Sequence, residues 1–502
     1  MKTYPIFRLA IPLAAGIFFA DIFRMHTGLW PLVALLCLLV VLGGWIRSCS
    51  YASRWVFGAG TAGFMFLVGW ILTEAAWRKV EVEWPSERRA YQGVVWESPQ
   101  KKARSYQCLL RMSDKDVWLY LPKDSLTASL RMGDELLFYT RMDAPKEYLY
   151  RKGVSGTAYV PAGAWRTTGQ QCGLTWKQKA LLLRERMMEK YREWGIGKEQ
   201  MPVLSALTLG YKGELDKETR EAYSVAGISH VLALSGMHIG FIWLLLNGGL
   251  RWLMGRHWRF LRWLVVTLVL WGFAFVVGLE ASVVRAVVMC MLIGLGSLSG
   301  SKALSMNTLA IAALFMLLYR PFYLFDISFQ LSFVAVLSIL VFYPMFFGCL
   351  SAKGRMARGV WGVMSVSAAA QLGTAPLVMY YFSNFSVYFL LTNLVASLLV
   401  PVIIYVSFLM IALAPWEGIQ SVVVTVLNYS VSALNRLAEW IASLPYASVS
   451  WEVPGLGGIV CFYLMLALGW MFWKTRRRKW LIRMLAACVC WLALHLFHIS
   501  FL

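Results

Sequence analysis

The chain has 502 residues, 59% of them hydrophobic, with a mean hydropathy of +0.60 and only 15% charged. A soluble chain carries about a quarter charged residues, so these values exclude an ordinary soluble enzyme and point to a polytopic α-helical membrane protein. In such a protein much of the net charge of +22 belongs to cytoplasmic loops and does not by itself imply a nucleic-acid partner.

Three apolar segments come first, at about 5–22, 29–46 and 55–76. The start could pass for a signal peptide, but more apolar spans follow at once, so it reads as the first membrane helix. Arg47 and Arg54 lie between the second and third segments. With that turn cytoplasmic, the N-terminus with Lys2 and Arg8 is cytoplasmic too, and the third helix delivers the next segment to the outside. Residues 1–76 thus form an N-terminal three-helix membrane segment.

Residues 77–200 are the one substantial soluble part, with 23 Lys and Arg against 15 Asp and Glu. Short alternating runs (AYQGVVWES, YQCLLRMS, DVWLYLP, ELLFYTRM, VSGTAYVPAGAW) are separated by turn signals. Five or so such strands predict a small antiparallel β-barrel over 77–170, inserted after the third helix, for which an OB-fold is one option. Over 171–200, KQKALLLRERMMEKYREWG predicts an amphipathic linker helix lying on the membrane surface. Cys108 and Cys172 are the cysteines of this soluble segment; outside the cytoplasm a disulfide between them is chemically permitted, and we expect one. The nine cysteines form no C-x-x-C pair. The six histidines are scattered: His230 and His238 are eight apart, and His26, His257, His495 and His498 lie in other segments, so no metal site is expected.

From 201 the chain re-enters the membrane as one domain to 502. PVLSALTLG is too short to span; spans are predicted at about 223–250, 263–279, 281–299, 303–319, 327–350, 359–382, 386–414, 418–443, 456–473 and 480–499. The basic loops 251–263, 351–359 and 474–480 all then fall on the cytoplasmic side. This reading has about 13 spans, with the N-terminus cytoplasmic and the C-terminus extracytoplasmic. No internal repeat is visible, which argues against a small-molecule transporter.

Polar groups recur inside these apolar runs. GISHVLALSGMHIG (227–240) holds His230, Ser235, Gly236 and His238. Arg285 stands in SVVRAVVMCMLIGLGS; Arg320, Asp326, Gln330 and Ser332 in RPFYLFDISFQLSF; Gln371 and Pro376 in AAAQLGTAPLVMYYF; Asn393 in FLLTNLVASLLVPV. Ionisable groups within a bilayer are expensive and usually face a bundle interior or an aqueous cavity. Two readings stay open: a polar-lined path, or interhelical glue such as an Arg285–Asp326 pair. Ser235 and His238, spaced i and i+3, are within reach of each other and invite a serine-hydrolase reading. No acid at helical spacing completes that constellation, so no catalytic residue is assigned. In the soluble segment, Lys101, Lys102, Arg104 and Tyr106 beside Trp96 mix basic and aromatic groups, as a nucleic-acid surface or a solvated charged turn would.

Taken together, AGISHVLALSGMHIG, the preceding LTLGYKGELDKETREAYSVAG, and then SVVRAVVM, RPFYLFDISFQLSF and AAAQLGTAPLVMYYF resemble the ComEC family of bacterial DNA-uptake channels, in the same order. The resemblance covers about 200–410 most strongly, and the barrel segment is similar to that family's OB-like module. It implies a channel in the cytoplasmic membrane that passes single-stranded DNA inward, needs no cofactor, and works with a DNA receptor, a cytoplasmic ATPase and a separate nuclease. The polar positions above would line or shape the path, with the histidines and Ser235 serving channel architecture. The H-x-H-x-D-H motif of the metallo-β-lactamase-like domain that many members carry is missing, so the resemblance is to a form without that domain. The chain has no G-x-x-x-x-G-K-[ST] loop, so an ATP-driven motor would be another protein.

Overall fold

The computed structural model describes residues 5–24, 33, 35, 38, 54–255, 257–298, 306–351, 353–450 and 455–499. The expected second span, apart from residues 33, 35 and 38, lies outside them with Arg47 and His26, as does the side chain of His498. Seven described helices are long and apolar enough to cross a bilayer: Trp55–Val80, Arg259–Val277, Ala281–Leu298, Ile327–Cys349, Arg355–Phe382, Phe389–Ala412 and Gly455–Thr475. The described residues are mainly helical, as in a polytopic membrane protein, with a six-stranded sheet and a two-stranded ladder between Phe385–Ser386 and Ser448–Val449.

Two compact units divide it: residues 1–190 with 249–329, and residues 191–248 with 330–502. In the first, α1 (Phe7–Phe23) pairs with α2 (Arg54–Val80). The crossing is close because it is made at glycines. A Cβ on Gly16 would sit 1.9 Å from the Phe66 carbonyl oxygen, and one on Gly69 would sit 2.4 Å from that of Leu13.

The sheet follows: β1 (Arg89–Lys101), β2 (Tyr106–Met112), β3 (Lys115–Leu121), β4 (Asp134–Thr140), β5 (Val154–Tyr159) and β6 (Trp165–Gln171). Their order is β5-β3-β2-β1-β4-β6. Six strands form where about five were expected, and β3 and β5 pair in parallel, a departure from the expected all-antiparallel sheet. The sixth is WRTTGQQ, too polar to read as a strand; it pairs along β4 from Phe138–Trp165 to Asp134–Gln171. Alternation sets the core: Val95, Cys108, Leu110, Val117, Leu119, Leu121, Leu136 and Phe138 are buried together. Each such aliphatic or aromatic side chain contributes about 1.5–3 kcal/mol on burial.

α3 (Trp176–Glu193) opens on a capping box: the Thr175 backbone N–H donates to Gln178 Oε1 at 3.0 Å, while the Gln178 N–H approaches Thr175 Oγ1 at 3.4 Å. Gln178 Nε2 donates on to the Val95 and Trp96 carbonyls at 3.5 Å. The helix expected on the membrane surface is therefore fastened to β1. Its Arg184 reaches the Val277 carbonyl at 3.5 Å, at the end of the 259–277 helix.

The expected disulfide is not formed. Cys108 and Cys172 are both free. Strand alternation turns the Cys108 thiol into the core beside Leu110, while Cys172 follows the last strand and is exposed. Burial, then Glu97, pushes the Cys108 thiol up to about 12.

The second unit begins with α4 (Met201–Leu209) and α5 (Lys217–Val225). α5 is capped by Asp216, whose carboxylate accepts from the Thr219 N–H at 2.7 Å and is held below its usual range by Thr219. The expected continuous span over 223–250 is broken. Gly227 turns with φ +78°, Ser229–Leu232 makes one turn, and α6 (Gly236–Met254) starts afresh. A side chain at Gly227 would meet Ser386 at 2.8 Å, so the turn needs both the left-handed conformation and the space.

Candidate functional site

The remaining helices carry the candidate residues: α7 (Arg259–Val277), α8 (Ala281–Leu298), α9 (Met306–Tyr319), α10 (Ile327–Cys349), α11 (Arg355–Phe382), α12 (Phe389–Ala412), α13 (Glu417–Ala442), α14 (Gly455–Thr475) and α15 (Arg478–Ile499). α13 shows how polar residues are used. It buries Gln420, Val424, Leu427, Val431, Leu434, Ala438 and Ile441, at helical spacing of three and four. Its Asn428 and Asn435 bond to the Gly197 N–H at 3.2 Å and the Tyr223 hydroxyl at 2.8 Å.

At the head of α6, Ser235 and His238 touch. His238 is fully buried, and its Nδ1 accepts from the Ser235 backbone N–H at 3.1 Å. The Ser235 hydroxyl lies 2.8 Å from the same nitrogen and donates to it. Nδ1 is therefore the acceptor, and the ring proton sits on Nε2. Ser235 stands immediately before the helix and His238 is its third residue, so the imidazole takes the place of the Glu or Gln of a capping box. Among the described residues Nε2 is buried without a hydrogen-bond partner. His230, on the preceding single turn, is exposed, and the break between the two histidines removes the shared helix face the sequence implied.

Arg285 is 6% exposed in α8, with Nη1 3.7 Å from the Met289 sulfur. Asp326 does not pair with it; its Oδ1 accepts from the Phe329 N–H at 3.1 Å and caps α10. Arg320 Nη2 donates to the Arg151 carbonyl of the sheet region at 3.2 Å. Gln330 accepts from the Tyr381 hydroxyl at 2.8 Å, joining α10 to α11. Ser332, Gln371 and Asn393 are half-buried and Pro376 is buried inside α11. In the sheet region Lys101, Lys102 and Arg104 are exposed on the β1–β2 turn, and Tyr106 pairs with Lys101 in register. Trp96 is stacked by a different cation, Arg111, at 3.5 Å, itself bound to Asp116 at 2.7 and 2.9 Å.

Two clusters escaped sequence reasoning. A groove of about 600 Å³ between the end of α10 and the start of α11 is lined by Tyr343, Phe347, Arg355 and Arg358 with Gly354, Gly359 and Gly362. Neither arginine forms an ion pair among the described residues. The second centres on Asp21, Trp77 and Arg151. Its signal was present: a lone acid in the apolar run FFADIF is costly unless paired.

Comparison with known proteins adds three findings. The family described as "Competence protein" matches residues 207–476, more than half of the chain. "ComE operon protein 3" of Bacillus subtilis (strain 168) is 29% identical over 245 residues, covering 48% of this chain and 29% of the relative. An "Uncharacterized protein" of Aquifex aeolicus (strain VF5) is 32% identical over 226 residues, covering 44% of this chain and 49% of the relative. The chain thus matches half or less of the length of these relatives. No solved structure matches it.

Proposed function

This chain belongs to the competence protein family, as its motifs implied, and on that premise we propose that it forms a channel carrying single-stranded DNA across the bacterial cytoplasmic membrane into the cell. The match over 207–476 carries the reading, since it spans the Ser235–His238, Arg285, Asp326–Gln330, Gln371 and Asn393 motifs in one stretch. The buried guanidinium of Arg285 inside an apolar helix supports a polar-lined path. Residues 77–170 form an OB-like extracytoplasmic domain, 171–200 a linker, and 201–502 the channel domain, within a topology of about 13 spans. The parallel β3–β5 pairing and the bridge between Asp143 and Thr157, which brings the exit of β4 against β5, support barrel closure. The cations at Lys101, Lys102 and Arg104 suit a phosphate backbone, as do Arg355 and Arg358 on the side read as cytoplasmic. A DNA receptor, an ATPase and a nuclease would be separate proteins.

Uptake of labelled DNA tests this in a competent host whose only copy carries Arg285→Gln. Uptake should fall at least tenfold with the protein still in the membrane. Undiminished uptake rejects the lined path.

The 2.8 Å contact between Ser235 Oγ and His238 Nδ1 favours one second reading, an intramembrane hydrolase. His238→Gln separates the two: its amide oxygen keeps the cap but is no base. A channel keeps working in that variant, whereas a hydrolase loses activity.

A further inference from the structure

Segments far apart in the sequence meet around one carboxylate. Asp21 lies in the last turn of α1 and is 6% exposed. Its Oδ1 accepts from the Trp77 indole N–H at 3.1 Å and its Oδ2 from Arg151 Nη2 at 2.7 Å. Trp77 is at the end of α2; Arg151 ends the single turn Glu147–Arg151, between β4 and β5. The Arg151 guanidinium also lies 4.5 Å over the Phe325 ring, and the Arg151 carbonyl accepts from Arg320. Phe322 meets Trp77 edge-on at 5.2 Å, and Tyr150 lies 5.8 Å from the same indole. Arg24 stacks over Trp77 at 4.3 Å and pairs with Glu147 at 2.6 Å.

The parts differ in weight. Arg24–Glu147 is exposed and contributes little. The Asp21 carboxylate is buried, so removing its partner would leave a charge that water does not reach. Cationic groups on an aromatic wall add directional contacts. The cluster also agrees with the charge-derived topology. The ends of α1, α2 and α9 and the turn at 320–325 all fall on the outer side by the basic-loop reading, and here they meet the soluble domain assigned to that side.

We propose that the turn Arg320–Phe325 is the seat of the external β domain, and that Asp21–Arg151 is the positioning pair that holds the domain at the outer ends of these helices. Arg320, read from sequence as a path-lining cation, is reassigned to domain docking. The consequence for DNA hand-over rests on the proposed channel function; the docking does not.

Spin labels at Tyr148 on the domain and Tyr319 at the end of α9, both exposed, read the joint by pulsed electron resonance in the full chain, otherwise cysteine-free, in nanodiscs. One narrow distance is expected without further change. Asp21→Asn and Phe322→Ala should broaden it at least twofold, while Asp21→Glu keeps it narrow. A control pair at Tyr139 and Tyr159 within the domain should stay narrow throughout, showing that the domain remains folded. DNA uptake should fall at least tenfold in Asp21→Asn and recover in Asp21→Glu. A distance unchanged in both Asp21→Asn and Phe322→Ala overturns the docking. A broadened distance with undiminished uptake supports the docking and overturns its consequence for DNA hand-over. Uptake that does not depend on this chain at all overturns the channel reading, while the spin-label distances still decide the docking.

Discussion

The β domain and the helices around Ser235 differ in what they turn outward. In the domain, apolar side chains face inward, with Val95, Leu110, Val117, Leu119 and Leu136 fully buried. In the helices, large apolar groups face outward: Leu398 is 68% exposed and Val460 66%. They bury apolar residues as well, Leu427 and Val431 among them, together with His238, Thr392 and Ser407. In water the apolar surface drives burial. In lipid it has no such drive, so large apolar groups can stay outside, while polar groups need partners within the bundle.

The largest effect that sharpens this contrast comes from one substitution on each side. Leu119→Asp places an unpaired carboxylate in the β-domain core, and at a cost of several kcal/mol the domain should not fold. Proteolysis of 77–171 in membrane vesicles reads it. Leu398→Ala, on an outward face, should leave the protease pattern unchanged. Equal sensitivity of the two would break the comparison.

Next comes the helix crossing. Gly69→Val must displace the Leu13 carbonyl, which a Cβ would approach to 2.4 Å, at a cost of about 1–3 kcal/mol. Lower thermal stability of the detergent-solubilised chain is the expected readout. An unchanged melting temperature would show that this crossing does not hold the pair together.

A smaller effect belongs to the cap of α6. His238→Ala leaves the Ser235 N–H without its acceptor and should cost about 1 kcal/mol, while His238→Gln restores most of it. Thermal melts of the three proteins decide this. A Gln variant no better than Ala would mean that the imidazole acts otherwise than as a cap.

Sequence reading went furthest where one rule governed a whole segment. Alternation marked YQCLLRMS and DVWLYLP as strands, where β2 and β3 form, and apolar length found the seven described helices long enough to span. It went less far where a residue has a local task. Asp326 looked like an intramembrane charge in search of Arg285, but a carboxylate at a helix start is satisfied by the backbone two or three residues on. Spacing alone made GISHVLALSGMHIG one helix, because periodicity does not register the positive φ of Gly227 or the fresh start after Ser235. The Asp21 joint joins residues 130 positions apart, and no local pattern reports that distance.

The smallest expected effect tests the free thiols. Cys172 is exposed and should react with a maleimide in the folded chain, whereas Cys108 should react only after unfolding. Burial holds Cys108 protonated, with its pKa raised from 9.0 to about 12. A group whose folded pKa is raised stabilises the fold fully below its unfolded pKa. That contribution is lost as pH climbs from about 9 towards 12, because the unfolded chain alone releases the proton there. Cys108→Ala should therefore flatten the alkaline limb of the stability profile while leaving a small cavity. If both thiols stay unreactive until a reductant is added, they are bridged after all. The inward register of β2 that separates this domain from the helices would then be wrong at its centre.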